Sequence, residues 1–286
     1  HMKITAAVAA CISEYLIDNG ITNFKEHVFK NEKVFRTEPA FLMYTADMSG
    51  IQKFIYTVAA DGAQKSLRSR SFFLELMMEH YVDTVLGACG LSRVNLIYSG
   101  GGHCYLLLPN TKAAKQAVQD VNDCTNDWLI DQFGTALFVA HGWAECSADD
   151  LTNTPAENAP YKAIFQRVSS AVGRHKMKRY SARQIRRLNR PQSGLDGREC
   201  KVCGNTDAIK DDRCRWCARF EQLSIKIQDE ARVAYVVSRG TDKYDMPLPG
   251  GAYLSLADEQ TARDMLKTGG VMRVYTKNRA YTGMAY

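Results

Sequence analysis

No stretch of the chain approaches the roughly 20 uninterrupted apolar residues that a bilayer crossing requires, and the amino terminus lacks the basic-then-apolar pattern of a secretory signal. We therefore expect a cytoplasmic protein. The composition, with 45% hydrophobic and 24% charged residues and no internal repeat, excludes disordered, collagen-like and coiled-coil chains. The 286 residues suffice for about two domains. Because His1-Met2 is typical of a cloning remnant, we expect a piece of a longer protein.

The net charge of +6 is concentrated in one basic segment. Residues 174–190 hold eight lysines and arginines and no acid, so the rest of the chain is slightly acidic. Two interpretations stay open: a solvated helix face, or a surface that contacts RNA phosphates or a partner, since cations that bind phosphates release counterions. The candidate contact residues are Arg174, Lys176, Lys178, Arg179, Arg183, Arg186, Arg187 and Arg190.

Four of the nine cysteines form two C-x2-C pairs that are separated by ten residues: Cys200 with Cys203, and Cys214 with Cys217. Two such turns that face each other supply the four thiolates of a closed tetrahedral zinc site. Disulfide or redox use is the alternative, and the lack of an export signal disfavours it. Because four thiolates leave no open coordination position, we expect a structural zinc ion.

The pattern of apolar runs and turn residues predicts an α+β protein. Its predicted order is strand, helix, strand, strand, helix, strand, which is the plan of ferredoxin-like domains and of the palm of polymerases and GGDEF-type nucleotide cyclases. A helical zinc-binding domain is expected to follow. The predicted strands are 41–46, 94–98, 103–108 and 135–140, and the predicted helices are 71–89 and 111–132. The expected parts are a helix and linker at 1–38, the palm at 39–148, the basic and zinc-binding segment at 149–231 and a β-rich tail at 232–286.

A catalytic palm holds two divalent ions about 4 Å apart and needs several carboxylates for them. Asp47 follows the first predicted strand, but the hairpin turn at residues 100–103 contains no acid. One carboxylate cannot replace a bridging pair for Mg²⁺, so we predict a palm without a metal site or catalytic residues of its own.

What remains is a platform for a nucleotide. The backbone amides of residues 48–50 at a helix start, with the Ser49 hydroxyl, suit an anion, and the glycines allow a base or sugar to approach. Simpler interpretations stay open: Ser49 as a helix cap, the glycines as a turn, and Asp47 as a hydrogen-bonding acid. The candidate nucleotide-binding residues are Asp47, Ser49, Gly50, Arg70, Gly100, Gly101, Gly102 and His103.

Several strings resemble one known family in the same order along the chain: TADMSGIQKFIY, LRSRSFFLELMMEH, NLIYSGGGHCYLLLPN, the RYSA segment and the two C-x2-C pairs. They are similar to the first palm and zinc-binding region of the large subunit of type III-A CRISPR (Csm) effector complexes, the cyclic oligoadenylate synthetase family. The resemblance extends from about residue 2 to the late 220s. Residues 3–12 look like the last helix of the HD nuclease domain that precedes this palm.

The resemblance implies an RNA-guided complex in which target RNA activates two activities of the subunit, namely single-stranded DNA cleavage and conversion of ATP to cyclic oligoadenylates. It implies Mg or Mn with the ATP, a second palm that carries the catalytic GGDD hairpin, and other Csm subunits, guide RNA and target RNA as partners. Ser49 and Gly50 would contact the triphosphate, Gly101 and Gly102 would line the acceptor side, and the four cysteines would hold zinc. His103 stands where an active palm has an acid.

Three functions of different class follow. The first is a non-catalytic half of a two-palm ATP cyclase. The second is a zinc-stabilised RNA-binding or subunit-docking module without a nucleotide role. The third is a free-standing cyclase that dimerises to complete its site.

Overall fold

The computed structural model describes residues 2–57, 63–189, 198–206, 209–229, 232–237, 245–267 and 269–275. The chain divides into two compact units. The first unit comprises His1–Ile51 and Glu75–Asn189, and the second comprises Gln52–Leu74 and Arg190–Tyr286.

The helices and strands are as follows. The helices are α1 (Met2–Asp18), α2 (Glu32–Phe35), α3 (Ile51–Tyr56), α4 (Ala63–Ala88), α5 (Lys112–Phe133), α6 (Ala148–Leu151), α7 (Pro160–Met177), α8 (Ala182–Leu188), α9 (Arg215–Gln228) and α10 (Glu259–Lys267). The strands are β1 (Phe41–Ser49), β2 (Leu96–Gly100), β3 (His103–Pro109), β4 (Phe138–Cys146), β5 (Arg232–Val237), β6 (Met246–Pro247), β7 (Tyr253–Asp258) and β8 (Val271–Tyr275). Short π- and 3₁₀-helical turns occupy Lys25–Lys30, Arg93–Asn95, Ala156–Asn158 and Pro249–Gly251.

The first unit contains a four-stranded antiparallel sheet in the order β2-β3-β1-β4. Its elements follow one another as β1, α4, β2, β3, α5 and β4, which is the order that the sequence predicts. The central strand β1 is buried from Phe41 to Ala46, as expected for a strand that has a neighbour on each side and helices on both faces.

Each face of β1 has its own packing partners. On one face, Phe41 and Met43 pack with Cys11 of α1 and Val168 of α7. On the other face, the Tyr44 hydroxyl lies 2.6 Å from the Tyr81 hydroxyl of α4, so a hydrogen bond joins the two phenols inside the core. Strand β1 is thereby held between two layers of helices, and its carboxyl end is placed at a defined edge of the sheet.

Four predicted elements of the chain have clearly different boundaries in the structure. Helix α4 begins at Ala63 and not at 71, and strand β4 spans Phe138–Cys146 and not 135–140. The other two are β1 and β2. Strand β1 does not end at residue 46, because Asp47, Met48 and Ser49 continue to pair with β4. The strand predicted from residue 94 begins at Leu96. The Asn95 side chain is buried instead and donates to the carbonyl of Leu107 at 2.9 Å.

The second unit contains a separate four-stranded antiparallel sheet in the order β6-β7-β5-β8. Helix α10 covers this sheet through Ala262, which packs against Val233. Helix α9 begins at Arg215, directly after Cys214, because the Cys214 sulfur accepts from the backbone amide of Cys217 and so caps the helix.

Both units are therefore mixed α/β structures with antiparallel sheets. Among the described residues, no helix is long and apolar enough to cross a membrane.

Candidate functional site

The glycine-rich hairpin of the first unit is closed by pairing between Gly100 and His103. This leaves Gly101 and Gly102 as a two-residue turn, with φ of +60° and +81°. Two consecutive positive φ values are typical of the type I′ turn, which glycine adopts without steric cost. A Cβ at Gly102 would lie 2.1 Å from the Ile51 Cδ1 atom, whereas a Cβ at Gly101 would meet no atom within 4 Å. At Gly102 the terminal methyl of Ile51 would have to move away from an added Cβ, and Gly101 faces open space.

The end of β1 lies beside this turn. The backbone amide of Met48 donates to the carbonyl of Gly102 at 2.8 Å, so it is not available to an anion. This corrects the expectation that the amides of residues 48–50 all face a ligand. Gly50 has φ of +94°, and a Cβ there would lie 2.0 Å from the carbonyl oxygen of Ala136. Ser49 is a strand residue opposite Phe138 and does not begin a free helix terminus.

Asp47 has a cation as its direct partner. The register of β1 with β3 places Asp47 opposite His103, and Lys176 of α7 hydrogen-bonds the Asp47 carboxylate. The Asp47 side chain remains 27% exposed and that of Lys176 40% exposed. The edge therefore carries one carboxylate that is paired with an ammonium group and still reachable from solvent.

His103 is held as a neutral side chain at this edge. Thr45 donates its hydroxyl hydrogen to the carbonyl of Cys104 at 2.7 Å, so its oxygen is left to accept from His103 Nε2, which lies 3.2 Å away. His103 Nδ1 lies 4.0 Å from the Asp47 carboxylate. Burial lowers the pKa of His103, and although Asp47 opposes this effect, Lys176 adds to it. His103 Nδ1 is then left as a hydrogen-bond acceptor.

Arg70 has different surroundings from those expected of a nucleotide ligand. It belongs to the second unit and is 4% exposed. Its guanidinium group donates to the Phe54 carbonyl and to the Cys217 sulfur. The guanidinium group of Arg70 is therefore not available to a nucleotide, because its N–H groups already donate to partners inside the second unit.

The four predicted metal ligands come together in the second unit. The sulfur atoms of Cys200, Cys203, Cys214 and Cys217 all lie within 4.8 Å of one another, and those of Cys203 and Cys214 are 3.7 Å apart. A tetrahedral zinc ion with Zn–S bonds of about 2.3 Å requires sulfur atoms about 3.8 Å apart. The donor set therefore fits a tetrahedral thiophilic metal ion.

Local backbone structure shapes both cysteine turns. The amide of Gly204, with φ of +70°, donates to the carbonyl of Cys200 at 2.8 Å. An antiparallel bridge between Lys210 and Arg213 precedes Cys214. Both contacts involve residues within a few positions of the cysteines. Because the turns are local, the C-x2-C spacing is enough to predict the cluster.

The cluster has the electrostatics of a cation site. Hydrogen bonding with the Cys214 and Cys217 thiols lowers the pKa of Cys203 to about 3, and hydrogen bonding with Cys203 and Cys214 raises the pKa of Cys217. These hydrogen bonds favour the thiolate form of Cys203 and the thiol form of Cys217. Four thiolates at these distances need a bound cation.

Acidic residues of α5 pair with part of the basic segment. Asp127 accepts from Arg183 and from the Gln184 amide and lies 3.6 Å from the Arg187 guanidinium in an ion pair, and Asp131 accepts from Arg187. The sequence reasoning missed these partners. The signal available was the i, i+4 spacing of the two aspartates on one face of α5.

The other basic residues have varied surroundings. Lys176 pairs with Asp47, and the Arg179 guanidinium lies 5.4 Å from the centre of the Phe138 ring. Arg190 lies outside the described residues. Among those that are described, three members of the segment are exposed and have no ion pair: Arg174, Lys178 and Arg186.

Comparison with known proteins identifies the family. Residues 40–191 match the family model described as Csm1 subunit domain B. The CRISPR system single-strand-specific deoxyribonuclease Cas10/Csm1 (subtype III-A) of Mycobacterium tuberculosis is 42% identical over 297 aligned residues, which cover 99% of this chain and 37% of that protein. The chain belongs to the Cas10/Csm1 family. The resemblance to the type III-A large subunit is thus confirmed.

Solved structures of the same family agree with the fold. A crystal structure of a Csm1–Csm4 cassette in complex with pppApA has a TM-score of 0.55 and 28% identity, and the match covers 63% of this chain and 24% of that chain. A Csm1–Csm4 cassette in complex with AMPPNP has a TM-score of 0.53 and 26% identity, and the match covers 66% and 24%. The chain spans a little over a third of the length of its curated Cas10/Csm1 relatives.

Proposed function

We propose that this chain is the non-catalytic first palm and the metal-binding region of a type III-A CRISPR large subunit. The palm helps to bind ATP for cyclic oligoadenylate synthesis, which a second palm with a GGDD hairpin completes. The same subunit would carry a target-RNA-activated single-stranded DNase. Other Csm subunits, guide RNA and target RNA are the proposed partners. The proposed parts are residues 1–38 as a remnant of the HD domain, 39–148 as a ferredoxin-like palm, 149–231 as the basic and zinc-binding segment, and 232–286 as a tail towards the second palm.

The observation that carries the nucleotide role is the open edge formed by the end of β1 and the hairpin turn. Gly101 presents backbone without a covering side chain, so a ribose or base can approach it closely. Lys176 supplies a positive charge that a triphosphate can share with Asp47. The related cassettes were solved with pppApA and AMPPNP, which are adenine nucleotides of the proposed kind.

The same edge supports binding without catalysis. Its one carboxylate, Asp47, is paired with Lys176. A magnesium or manganese pair needs several carboxylate oxygens, so this palm does not fit such a pair by itself. The divalent ions would bind with ATP through the second palm. In the cysteine cluster, the proposed metal is zinc, which is bound by four thiolates in structural sites.

The nucleotide role can be tested by calorimetric titration with ATP and Mg²⁺. Gly101→Asp adds a negative charge in open space, and aspartate tolerates a positive φ better than most residues. We expect it to weaken ATP binding at least tenfold. Gly20→Asp is the matched control, because Gly20 has φ of +66° and also faces open space, on the loop after α1. Equal affinity in both variants would contradict the nucleotide role.

A second assay tests the absence of catalysis. The chain is incubated with ATP and Mg²⁺ or Mn²⁺, and products are separated by chromatography. We expect no cyclic product, because the edge has one carboxylate. Appreciable product would refute the half-site proposal and favour a cyclase that completes its site by dimerisation.

The exposed cations Arg174, Lys178 and Arg186 favour the alternative of an RNA-binding or docking module. Fluorescence anisotropy with single-stranded RNA can distinguish it when it is measured over a range of salt concentrations. If RNA binds here, Arg186→Glu lowers the magnitude of the salt slope by about 0.7 for each phosphate contact that is lost. Arg183→Glu is the comparison variant, because Arg183 already pairs with Asp127. No change in either variant would make the segment a solvated face.

A further inference from the structure

Arg70 is a buried cation of the second unit, and one of its contacts is a sulfur of the cysteine cluster. Its guanidinium donates to the Phe54 carbonyl at 2.9 Å, to the Ser66 hydroxyl at 3.2 Å and to the Cys217 sulfur at 3.5 Å. The group also lies 5.0 Å from the ring centres of both Phe54 and Phe220. Only 4% of the residue is exposed.

A guanidinium group in such surroundings needs a negative partner, because an unpaired buried charge is strongly unfavourable. No carboxylate pairs with Arg70 among the residues that the structure describes. The nearest group that can carry negative charge is the Cys217 sulfur. As a metal-bound thiolate, that sulfur would supply the missing counter-charge.

The benefit is mutual. A centre of one dication and four thiolates has a net charge of −2, and one neighbouring guanidinium group reduces the net charge to −1. Hydrogen bonds to ligand atoms from residues that do not touch the metal orient those ligands, and their loss typically reduces metal affinity about 10- to 100-fold. The planar fork of arginine can bind one ligand sulfur and one backbone carbonyl at the same time.

We propose that Arg70 is a positioning residue of the four-cysteine metal centre, where it balances the thiolate charge and ties helix α3, through the Phe54 carbonyl, to the ligand Cys217. This inference rests on the proposal that the cluster binds zinc. It follows that helix α3 is held more firmly when metal is bound, because the Cys217 sulfur is a strong hydrogen-bond acceptor only as a thiolate.

Cobalt substitution provides the test, since Co²⁺ bound by four thiolates gives sulfur-to-metal charge-transfer and d–d absorption bands, and competition with zinc gives the relative zinc affinity. Arg70→Gln keeps a hydrogen-bond donor but removes the charge, and Arg70→Lys keeps the charge but loses the fork. We expect Arg70→Gln to lower zinc affinity about 10- to 100-fold and to shift the charge-transfer band. Arg70→Lys should restore part of the affinity. Arg68→Gln is the matched control, because Arg68 is an exposed residue of the same helix, and it should bind metal like the parent chain.

The outcomes separate the two proposals. If the parent chain gives no four-thiolate cobalt spectrum, the metal proposal is wrong. If the parent chain gives the spectrum and Arg70→Gln has the same spectrum and affinity, the role of Arg70 is refuted.

A measurement on the unmodified chain covers the case in which Arg70→Gln does not fold. Hydrogen exchange of a peptide spanning α3 is compared before and after metal removal by a chelator. We expect faster exchange without metal, and unchanged exchange would overturn the tie between α3 and the cluster.

Discussion

Gly50→Ala tests whether close packing of backbone at the end of β1 is required for the first unit to fold. Gly50 has φ of +94°, and an added Cβ would lie 2.0 Å from the carbonyl oxygen of Ala136 and 3.1 Å from its carbonyl carbon. Both neighbours are backbone atoms, so no side-chain rotation relieves the clash. The strand or the loop before β4 must move.

The expected cost has two parts. A left-handed backbone costs an L-residue about 1–2 kcal/mol relative to glycine. Forcing extra atoms into a packed site costs about 1–3 kcal/mol more. We therefore expect Gly50→Ala to lower the free energy of unfolding of the first unit by about 2–5 kcal/mol. Gly101→Ala should lower the free energy of unfolding by only the backbone contribution, about 1–2 kcal/mol, because its φ is +60° and no atom lies within 4 Å of the added Cβ.

The assay must report on the first unit alone, since two compact units need not unfold together. Hydrogen exchange of peptides from β1 and β4, measured over a range of urea concentrations, gives the stability of that sheet. Gly50→Ala should have a clearly lower midpoint than Gly101→Ala. Equal midpoints for the two variants would show that the contact with Ala136 imposes no constraint.

Three further predictions concern the first unit. Burial and the neighbouring His175 lower the pKa of His141 to about 3. Below pH 6.5 the unfolded chain binds a proton at this histidine that the native state does not bind, so the free energy of unfolding should fall as pH drops from 6.5 towards 3, by at most about 1.4 kcal/mol per pH unit. Urea titrations of His141→Gln should show a flatter dependence on pH. Asn126 both donates to the Val139 carbonyl and accepts from the Val139 amide, each at 2.9 Å. An aspartate at this position cannot donate, so Asn126→Asp should lower the free energy of unfolding by about 2–4 kcal/mol in the same urea measurement. A loss below about 1 kcal/mol would contradict the contact. Gly87 occupies an exposed position of helix α4, and an added Cβ there would meet no atom within 4 Å. Gly87→Ala should therefore raise stability by about 0.5–1 kcal/mol, whereas a loss would indicate a non-helical backbone there.

The elements of the first sheet were predictable because their signals are local. Apolar runs, helical periodicity and the glycine turn each occupy a few consecutive residues. The exact end of β1 was not predictable, because Met48 and Ser49 are strand residues through pairing with β4, about 90 positions further along the chain, and Asp47 also pairs with His103 of β3. Ser49 is a favoured helix cap, and its local preference is overridden by this pairing.

The candidate site divides in the same way. The four cysteine ligands were predictable from spacing, since each pair forms within one turn. The role of Arg70 was not, because Cys217 is 147 positions away in sequence. Likewise, Arg183 pairs with Asp127 across 56 positions, so a segment without acids in sequence has acids beside it in the structure. Charge counted along the chain therefore overstates the charge that a ligand would meet.

Lys176 connects two features that the sequence presents separately. It belongs to the basic segment, yet its ammonium group pairs with Asp47, which follows the predicted first strand of the palm. The single carboxylate at this edge is thus neutralised by a lysine, whereas a catalytic palm would use carboxylates at this place to hold divalent ions. An edge with this charge pattern is suited to receiving a phosphate group, because the lysine can keep its contact with Asp47 and still meet a phosphate oxygen with another of its three N–H donors. We therefore expect Lys176→Met to weaken ATP binding and Asp47→Asn, which releases the lysine, to strengthen it.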